Sequence, residues 1–337
     1  MSTMFAWQFP GGKGDLEDNM VLDRNAPMPP LSKNVIARIK VLRMGLNPID
    51  YKGVEFSLAA KMIGLPITPG LDCVGRVVDS KTSQLNVGDL VAVKFDIVGK
   101  HGTAAEYTVV NKKDAVVKID ESGLQVLDEL ATAGIASGTA AISLAGLPKG
   151  SKVLINGSSG GVGVWSVQMA KAAGHEIVAV CSTRNVELVK SLGADEVIDY
   201  TKGDLLGAIK ANVERTGRLF DRFIDNVSND TQLYYRAHEY MVPNAKFLFI
   251  GAKMTVRFLL ESLMIHLLPG FLGGGRRKPV RVFDNSGEKE LKLATDLVLQ
   301  GKVKVPVQKF QFEELAKGYK TLKTGRTVGK LILHVSD

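Results

Sequence analysis

The stretch Lys152–Arg184, KVLINGSSGGVGVWSVQMAKAAGHEIVAVCSTR, decides the fold of this chain. A short apolar strand, Val153–Asn156, runs into the glycine-rich turn Gly157–Gly163. A helix and a second apolar strand, Ile177–Cys181, follow. Glycines at a strand-to-helix turn let a phosphate approach the backbone at the N-terminus of the helix. The pattern therefore predicts a dinucleotide-binding unit, although tight turns without a ligand also use glycine.

The end of the second strand indicates which dinucleotide is bound. It carries Ser182, Thr183 and Arg184, and no acidic residue. An Asp or Glu at this point would accept a hydrogen bond from the ribose 2′-hydroxyl, whereas hydroxyls and an arginine suit a 2′-phosphate. We therefore expect NADPH to be preferred over NADH. The alternative is that Arg184 is a solvated arginine at the start of a helix.

Composition limits the class of protein. The chain has 337 residues, 45% of them hydrophobic, a net charge of +8, and two cysteines, Cys73 and Cys181. This length allows two domains, and the basic residues are spread along the chain without a nucleic-acid motif, so we expect no nucleic-acid partner. Two cysteines exclude a disulfide framework and a multi-cysteine zinc site. The N-terminus lacks a secretory signal pattern, and we expect a cytoplasmic protein.

The pattern divides the chain into three segments. Residues 1–127 alternate short β-type runs with Gly/Pro turns, which predicts a β-rich domain. Residues 128–284 alternate apolar strands with helical stretches, which predicts an α/β domain with a parallel sheet covered on both faces. Residues 285–337 hold a predicted helix, Glu288–Gln300, and a predicted strand, Lys330–His334.

Seven segments, in this order and at this spacing, carry a resemblance to a known family: Gly45–Lys52, Pro69–Val77, Val87–Val91, Gly138–Ala140, Gly157–Gly163, Lys190–Asp195 and Gly329–Leu331. The chain resembles the medium-chain dehydrogenase/reductase superfamily, in its zinc-free quinone oxidoreductase-like branch, and most of all the chloroplast-envelope type with its fungal relatives. The resemblance implies a GroES-like β-barrel domain for residues 1–127 and a Rossmann domain for residues 128–284. It also implies that residues 285–337 return to the first domain, that the active site lies in the cleft between the domains, and that the protein is a homodimer.

One departure from the superfamily limits the chemistry. Its zinc-dependent members place a cysteine in the early segment and a His-Glu pair in the Pro-Gly turn, where this chain has Leu46-Asn47 and Leu71-Asp72. Catalytic zinc needs three protein ligands and an open position, so we expect no metal. Without a Lewis acid, alcohol oxidation is harder. The expected reaction is hydride transfer from NADPH to the alkene of an α,β-unsaturated carbonyl compound or to a quinone.

The resemblance also assigns roles to individual residues. Asn47 is expected near the nicotinamide and the substrate, with Tyr51 and Lys52 as candidate proton donors or orienting groups. The alternatives are a turn residue, a packed aromatic ring and a surface amine. Contacts with the cofactor are expected from Thr139, Ser158, Ser159, Gly160, Gly161, Val162, Ser182, Arg184, Tyr200, Asn226, Val227 and Gly251.

Two other functions stay open at this point, a pathway-specific trans-acting enoyl reductase and a cofactor-binding protein without catalysis. The apolar stretch Arg257–Leu272, which basic residues follow, also has two interpretations. A basic-flanked apolar helix can lie on a membrane surface. The stretch is too short to span a bilayer, and we favour a helix that lines the substrate cleft or a subunit interface.

Overall fold

The structure is a computed structural model that describes residues 2–55, 60, 62–250, 264–265, 267 and 274–337. The chain forms two compact units. The first comprises Met1–Gly138 and Asn285–Asp337, and the second comprises Thr139–Asp284. Gly251, which the resemblance assigns to the cofactor site, lies outside the described residues, as does nearly all of the apolar stretch 257–272.

Strands and helices of the described residues are numbered in chain order. The strands are β1 (Thr3–Gln8), β2 (Val21–Pro27), β3 (Val35–Gly45), β4 (Asp72–Ser80), β5 (Leu90–Lys94), β6 (Tyr107–Asn111), β7 (Ala115–Ile119), β8 (Lys152–Asn156), β9 (Glu176–Cys181), β10 (Glu196–Asp199), β11 (Phe220–Asp225), β12 (Met241–Phe249), β13 (Lys278–Arg281), β14 (Val307–Gln311) and β15 (Lys330–His334). The α-helices are α1 (Leu16–Asn19), α2 (Pro48–Glu55), α3 (Leu127–Leu130), α4 (Ile135–Leu144), α5 (Gly161–Ala172), α6 (Val186–Ser191), α7 (Leu205–Thr216), α8 (Thr231–Tyr235), α9 (Glu288–Leu299) and α10 (Leu315–Lys323).

The boundary between the first two segments falls later in the structure than the sequence pattern suggests. The pattern divides the chain after residue 127, whereas residues 128–138 belong to the first unit. Asp128 forms an ion pair with Arg43 at 3.1 Å, and the backbone amide of Ile135 donates to the carboxylate of Asp72. These contacts join the segment to β3 and β4. The boundary after residue 284 lies at the same position in the sequence pattern and in the structure.

The second unit is built on a six-stranded parallel sheet in the order β10-β9-β8-β11-β12-β13. Numbered within the unit, this is the order 3-2-1-4-5-6 of the dinucleotide-binding fold. Every residue of β8 is buried, as expected of a strand covered on both faces. The predicted parallel sheet is therefore confirmed. Its order reverses between β8 and β11, and ligands of such sheets bind at the carboxyl ends of the strands beside this reversal.

Strand β11 ends at Asp225. The Asp225 carboxylate accepts hydrogen bonds from the backbone amides of Val227 at 3.1 Å and Ser228 at 3.0 Å. These bonds turn the chain away from the sheet, and Ser228 has a φ of 52°, in the left-handed region. A non-glycine residue rarely adopts this conformation, and the Asp225 side chain holds it there.

Aromatic side chains fill much of the core of the second unit. The ring centroids of Phe223 and Phe247 lie 4.5 Å apart, and those of Phe247 and Tyr234 lie 5.4 Å apart. The buried Tyr240 hydroxyl donates to the carbonyl of Leu233. Truncating one such ring to alanine costs about 3–5 kcal/mol of stability in typical cores. These aromatic contacts therefore contribute to the stability of the second unit.

The first unit contains a seven-stranded sheet in the order β14-β15-β3-β4-β5-β7, with β6 paired to β3, and the separate hairpin β1-β2. Strand β3 alternates buried and half-buried residues over most of its length, as a strand with one face on a core does. The C-terminal segment returns to this sheet, because β15 pairs antiparallel with β3 and Ile332 lies opposite Gly45.

A buried polar cluster joins β15, β4 and the segment before α2. The ammonium of Lys330 donates to the carbonyl of Leu46 at 2.8 Å and to Oδ1 of Asn47 at 2.6 Å. The Asn47 amide nitrogen donates to Oδ2 of Asp72 at 2.7 Å. The backbone amide of Asn47 donates to Oδ2 of Asp50 at 2.8 Å. Each of these side chains is at most 4% exposed.

The charges of this cluster balance only if one carboxyl stays protonated, since one buried ammonium faces two buried carboxyls. Burial raises the pKa of Asp50 to about 8, and the Asp72 carboxylate adds to this shift. The backbone amide of Asn47, the Lys330 ammonium and the Tyr319 hydroxyl act in the opposite direction. Burial also lowers the pKa of Lys330, which the two carboxyls oppose. We infer that Asp50 keeps its proton at neutral pH while Asp72 and Lys330 form the ion pair.

The Asp50→Asn variant tests this charge assignment. A carboxyl whose pKa is higher in the folded protein than in the unfolded chain stabilises the fold at low pH. That contribution is lost as the pH rises from about 4 to about 8, at up to about 1.4 kcal/mol per pH unit. The amide cannot ionise, so the variant should become more stable relative to the wild type across this window.

Urea unfolding of both proteins between pH 5 and pH 9 measures this difference. The exposed carboxylate of Glu313, substituted as Glu313→Gln, is the control and should change the pH dependence little. A difference between the Asp50→Asn variant and the wild type that does not vary with pH would contradict the assignment.

Candidate cofactor-binding site

The glycine-rich turn after β8 is held by Ser158, whose side chain is fully buried. Its hydroxyl donates to the carbonyl of Ile155 at 2.7 Å and accepts from the backbone amide of Val180 at 3.1 Å. The Ser158 backbone amide donates to the carbonyl of Val180 at 3.0 Å. Gly157 has a φ of 72°, which favours glycine. Ser158 thus fastens the turn to β9 through both its side chain and its backbone amide.

The glycines at the start of α5 have different roles. A Cβ on Gly163 would lie 2.2 Å from the carbonyl oxygen of Gly157, so the helix packs on the turn only with glycine at this position. A Cβ on Gly160 would meet that same oxygen at 3.5 Å, an ordinary contact. The protein's own packing therefore does not require glycine at position 160. Gly160 is the N-cap residue of α5 and has no side chain that could cap the helix, and the amides at such a helix end suit a phosphate.

Asn185 links the turn to the segment after β9. Its amide nitrogen donates to the hydroxyl of Ser159 at 2.9 Å and, more weakly, to that of Ser182 at 3.4 Å. A hydroxyl that accepts a hydrogen bond keeps its own hydrogen to donate elsewhere. The arrangement orients both serines as donors, which suits an anionic ligand. Sequence reasoning missed Asn185, because an amide at the start of a helix is common for other reasons.

In the segment after β9, the hydroxyl of Thr183 is bonded within the protein, whereas the sequence predicts that it faces a 2′-phosphate. The Thr183 hydroxyl lies 2.5 Å from Oδ2 of Asp199, the last residue of β10, and 2.7 Å from the hydroxyl of Thr201 in the turn that follows. It therefore already has partners from β10 and from that turn. Arg184 is exposed, and Tyr200 is 52% exposed at the start of the turn that follows β10.

The reversal point of the sheet brings Asn226 and Val227 against the glycine-rich turn. A Cβ on Gly157 would lie 2.9 Å from Cγ2 of Val227 and 3.3 Å from Cβ of Asn226. The Asn156 amide donates to Asp225 at 2.9 Å, and the Asn226 amide donates to the carbonyl of Asn156 at 2.8 Å. Oδ1 of Asn226 is buried and accepts no hydrogen bond from the described residues. This acceptor is available to a ligand that can donate.

Most of the residues predicted to bind the cofactor lie at the carboxyl ends of the strands, whereas Thr139 lies on a helix. The structure brings together the turn, Ser182 and the pair Asn226–Val227 at the carboxyl ends of the strands. Thr139 lies on α4, where it is 5% exposed, and its carbonyl accepts a hydrogen bond from Ser143. The residues that are present fit a dinucleotide, because glycines, oriented serine hydroxyls and an uncapped helix N-terminus converge on one edge of the sheet.

The three candidate catalytic residues lie in the first unit. Both hydrogens of the Asn47 amide have partners, Asp72 at 2.7 Å and the carbonyl of Gly45 at 3.2 Å. The Tyr51 ring packs edge-on against Tyr319, and burial raises the pKa of its phenol. Burial lowers the pKa of Lys52, which Glu55 partly offsets. The catalytic roles of these residues stay predictions.

The positions that hold zinc in other members of the superfamily do not fit the metal here. Leu46 and Leu71 are buried apolar side chains, and the Asp72 carboxylate is engaged by Asn47 and by the backbone amide of Ile135. In the part of the chain that the structure describes, no three His, Cys, Asp or Glu side chains are grouped to hold a metal ion. None of the described helices is long and apolar enough to cross a membrane.

Comparison with known proteins identifies the family. The family model described as the alcohol dehydrogenase GroES-like domain matches residues 34–121, and the model described as zinc-binding dehydrogenase matches residues 192–333. The trans-enoyl reductase pgmF of Aspergillus terreus is 34% identical over 100% of this chain and 97% of its own length. The chloroplast envelope quinone oxidoreductase homologue of Arabidopsis thaliana is 34% identical over 56% of this chain and 58% of its own length.

A solved structure, that of the quinone oxidoreductase from Coxiella burnetii, superposes with a TM-score of 0.81 at 26% identity, over 99% of this chain and 100% of that one. The GroES-like match lies in the first unit, and the second unit has the Rossmann strand order. The expected combination of a GroES-like domain with a Rossmann domain is therefore confirmed. This chain belongs to the medium-chain dehydrogenase/reductase superfamily, in its zinc-free branch.

Proposed function

We propose that the protein is an oxidoreductase that uses NADPH to reduce the alkene of an α,β-unsaturated carbonyl compound, or a quinone, without zinc. The observation that carries the proposal is the turn Gly157–Gly163, which opens α5 at the reversal point of the 3-2-1-4-5-6 sheet. The names of the relatives, a trans-enoyl reductase and quinone oxidoreductases, support this class of reaction.

The residues around the turn are proposed to bind and orient the cofactor, which supplies a hydride when bound. Backbone amides at the start of α5 and the Ser159 hydroxyl would hold the pyrophosphate. Ser182 and Arg184 would hold the 2′-phosphate, since a serine donor and a guanidinium suit this anion. Oδ1 of Asn226, which accepts no hydrogen bond from the described part of the chain, would accept one from the carboxamide of the nicotinamide. Thr139, Tyr200 and Val227 would line the remaining surface of the site.

The residues proposed to act on the substrate are Asn47, Tyr51 and Lys52. Lys330 and Asp72 fix the orientation of the Asn47 amide, which can donate to a substrate carbonyl by exchanging its longer bond, that to Gly45. A donor facing this oxygen would stabilise the negative charge that develops on it. Tyr51 keeps its proton at neutral pH and so can serve as a donor.

A second candidate function is that of a pathway-specific trans-acting enoyl reductase, which works on a carrier-bound or specialised biosynthetic intermediate. The match to a trans-enoyl reductase along the entire chain favours it. The same cofactor site would serve both functions, and only the acceptor differs. A cofactor-binding protein without catalysis stays the third alternative, and a homodimer in the cytoplasm stays a prediction.

An assay of NADPH oxidation over a panel of free enones, quinones and enoyl thioesters tests the proposal. We expect turnover with at least one class, and product analysis should find a saturated carbonyl compound or a hydroquinone. Turnover with thioesters alone would favour the trans-acting enoyl reductase. NADPH binding without turnover of any class would contradict a catalytic function.

A pair of glycine variants tests the location of the pyrophosphate. The Gly160→Ala methyl group would meet the carbonyl oxygen of Gly157 at 3.5 Å, an ordinary contact, and should leave the thermal midpoint nearly unchanged. In the proposed site, the same methyl group would hinder the approach of the pyrophosphate. We expect NADPH binding to weaken about tenfold or more, which is about 1.4 kcal/mol or more. Gly163→Ala should instead destabilise the fold, because its methyl group would collide with the carbonyl of Gly157. Unchanged NADPH affinity in Gly160→Ala, by calorimetric titration, would contradict this location.

The Arg184→Ala variant tests recognition of the 2′-phosphate. We expect NADPH binding to weaken by about 1.5–3 kcal/mol, as for a lost hydrogen bond to a charged group, while NADH binding changes little. Titration of both cofactors, followed by protein fluorescence, measures the difference. An equal loss for the two cofactors would contradict the role of Arg184.

A further inference from the structure

A carboxylate from the neighbouring strand β10 lies beside the end of β9, the second strand of the Rossmann sheet. The residues at the end of β9 itself include no acidic side chain. Asp199 is the last residue of β10, and it stands opposite Cys181, the last residue of β9, in the parallel register. Its Oδ2 accepts a hydrogen bond from the Thr183 hydroxyl at 2.5 Å. The neighbouring strand thus supplies an acidic group to the segment Ser182–Arg184.

The Asp199 side chain is held in place and is charged. Oδ1 accepts from the backbone amide of Thr201 at 3.0 Å and from its hydroxyl at 2.6 Å, while Oδ2 accepts from Thr183. The hydrogen bonds from the Thr183 and Thr201 side chains lower the pKa of Asp199, to which the charge of Lys202 contributes. The carboxylate is therefore negative at neutral pH.

This negative charge bears on the 2′-phosphate of NADPH. A carboxylate at the end of the second strand accepts a hydrogen bond from the ribose 2′-hydroxyl of NADH, whereas it repels a phosphate at the same place. The Thr183 hydroxyl, which the sequence predicts as one of the donors to the phosphate, instead donates to Asp199. Ser182 and Arg184 are the other donors that the sequence predicts for the phosphate, and the negative charge of Asp199 opposes the anion that they would bind.

We propose that Asp199 is a cofactor-specificity residue, which opposes the 2′-phosphate and limits the preference for NADPH that Arg184 creates. This inference rests on the proposed function, because it presupposes that a dinucleotide binds at this edge of the sheet. The ratio of the two cofactor affinities then depends on the repulsive charge of Asp199 as well as on the attractive charge of Arg184.

The Asp199→Asn variant separates the charge from the shape of the side chain. An amide keeps an oxygen that accepts from Thr201 and adds hydrogens that can reach the Thr183 hydroxyl. Calorimetric titration of NADPH and NADH then measures the effect of the charge alone. We expect NADPH to bind about three- to tenfold more tightly and NADH to change less than about twofold, because only NADPH carries the repelled group. The gain should shrink between about 50 mM and about 500 mM salt, as a screened charge interaction does.

Glu214→Gln is the control, because it removes one negative charge from an exposed site on α7 and should leave the ratio of the affinities unchanged. If Asp199→Asn does not fold, Asp199→Ser, which keeps a hydroxyl acceptor for Thr201, replaces it. An equal change for both cofactors, or weaker NADPH binding, would mean that Asp199 only braces the loop and would overturn the inference. A wild-type protein that binds neither cofactor would overturn the proposed function itself, and this inference with it.

Discussion

The close approach of helix α5 to the turn before it is the constraint on which the second unit depends. A Cβ on Gly163 would lie 2.2 Å from the carbonyl oxygen of Gly157, so any other side chain there would push the helix away. The approach directs the uncapped N-terminus of α5 toward the reversal point of the sheet. Ser158 holds the turn from the other side by bonding Ile155 and Val180. The proposed phosphate site therefore depends on packing, before any charged side chain contributes.

The same edge of the sheet carries the polar groups that we propose to distinguish one cofactor from another. Asn185 orients Ser159 and Ser182 as donors, while Asp199 adds a negative charge beside Thr183. In the proposed site, affinity for the shared part of the cofactor and discrimination at the 2′-position come from different side chains. Substitutions at the 2′-end should change selectivity without disturbing the turn. In the first unit, the buried pair of Lys330 and Asp72 orients the Asn47 amide. Neither charge of this pair is exposed to solvent.

The sequence predicts the elements of this fold better than the contacts between them. The strand Lys330–His334 has the predicted bounds, and the helix predicted at Glu288–Gln300 is observed at Glu288–Leu299, since periodicity and turn residues are local signals. The edge of the cofactor site was predictable for the same reason, because the glycine motif and the residues after β9 and β11 lie at strand ends. Asp199 was not, because its relation to Thr183 depends on the register of two strands. The Lys330–Asn47 bond joins residues 283 positions apart, which local pattern cannot reveal.

The fate of the transferred hydrogen tests the proposed reaction most directly. NADPH that carries deuterium at the transferable C4 position would be incubated with the protein and an α,β-unsaturated ketone in ordinary water, and the product analysed by NMR. We expect one deuterium at the β-carbon of a saturated ketone, with the hydrogen at the α-carbon drawn from solvent. Deuterium on the carbonyl carbon of an allylic alcohol would contradict alkene reduction, and a product without label would contradict hydride transfer from the cofactor.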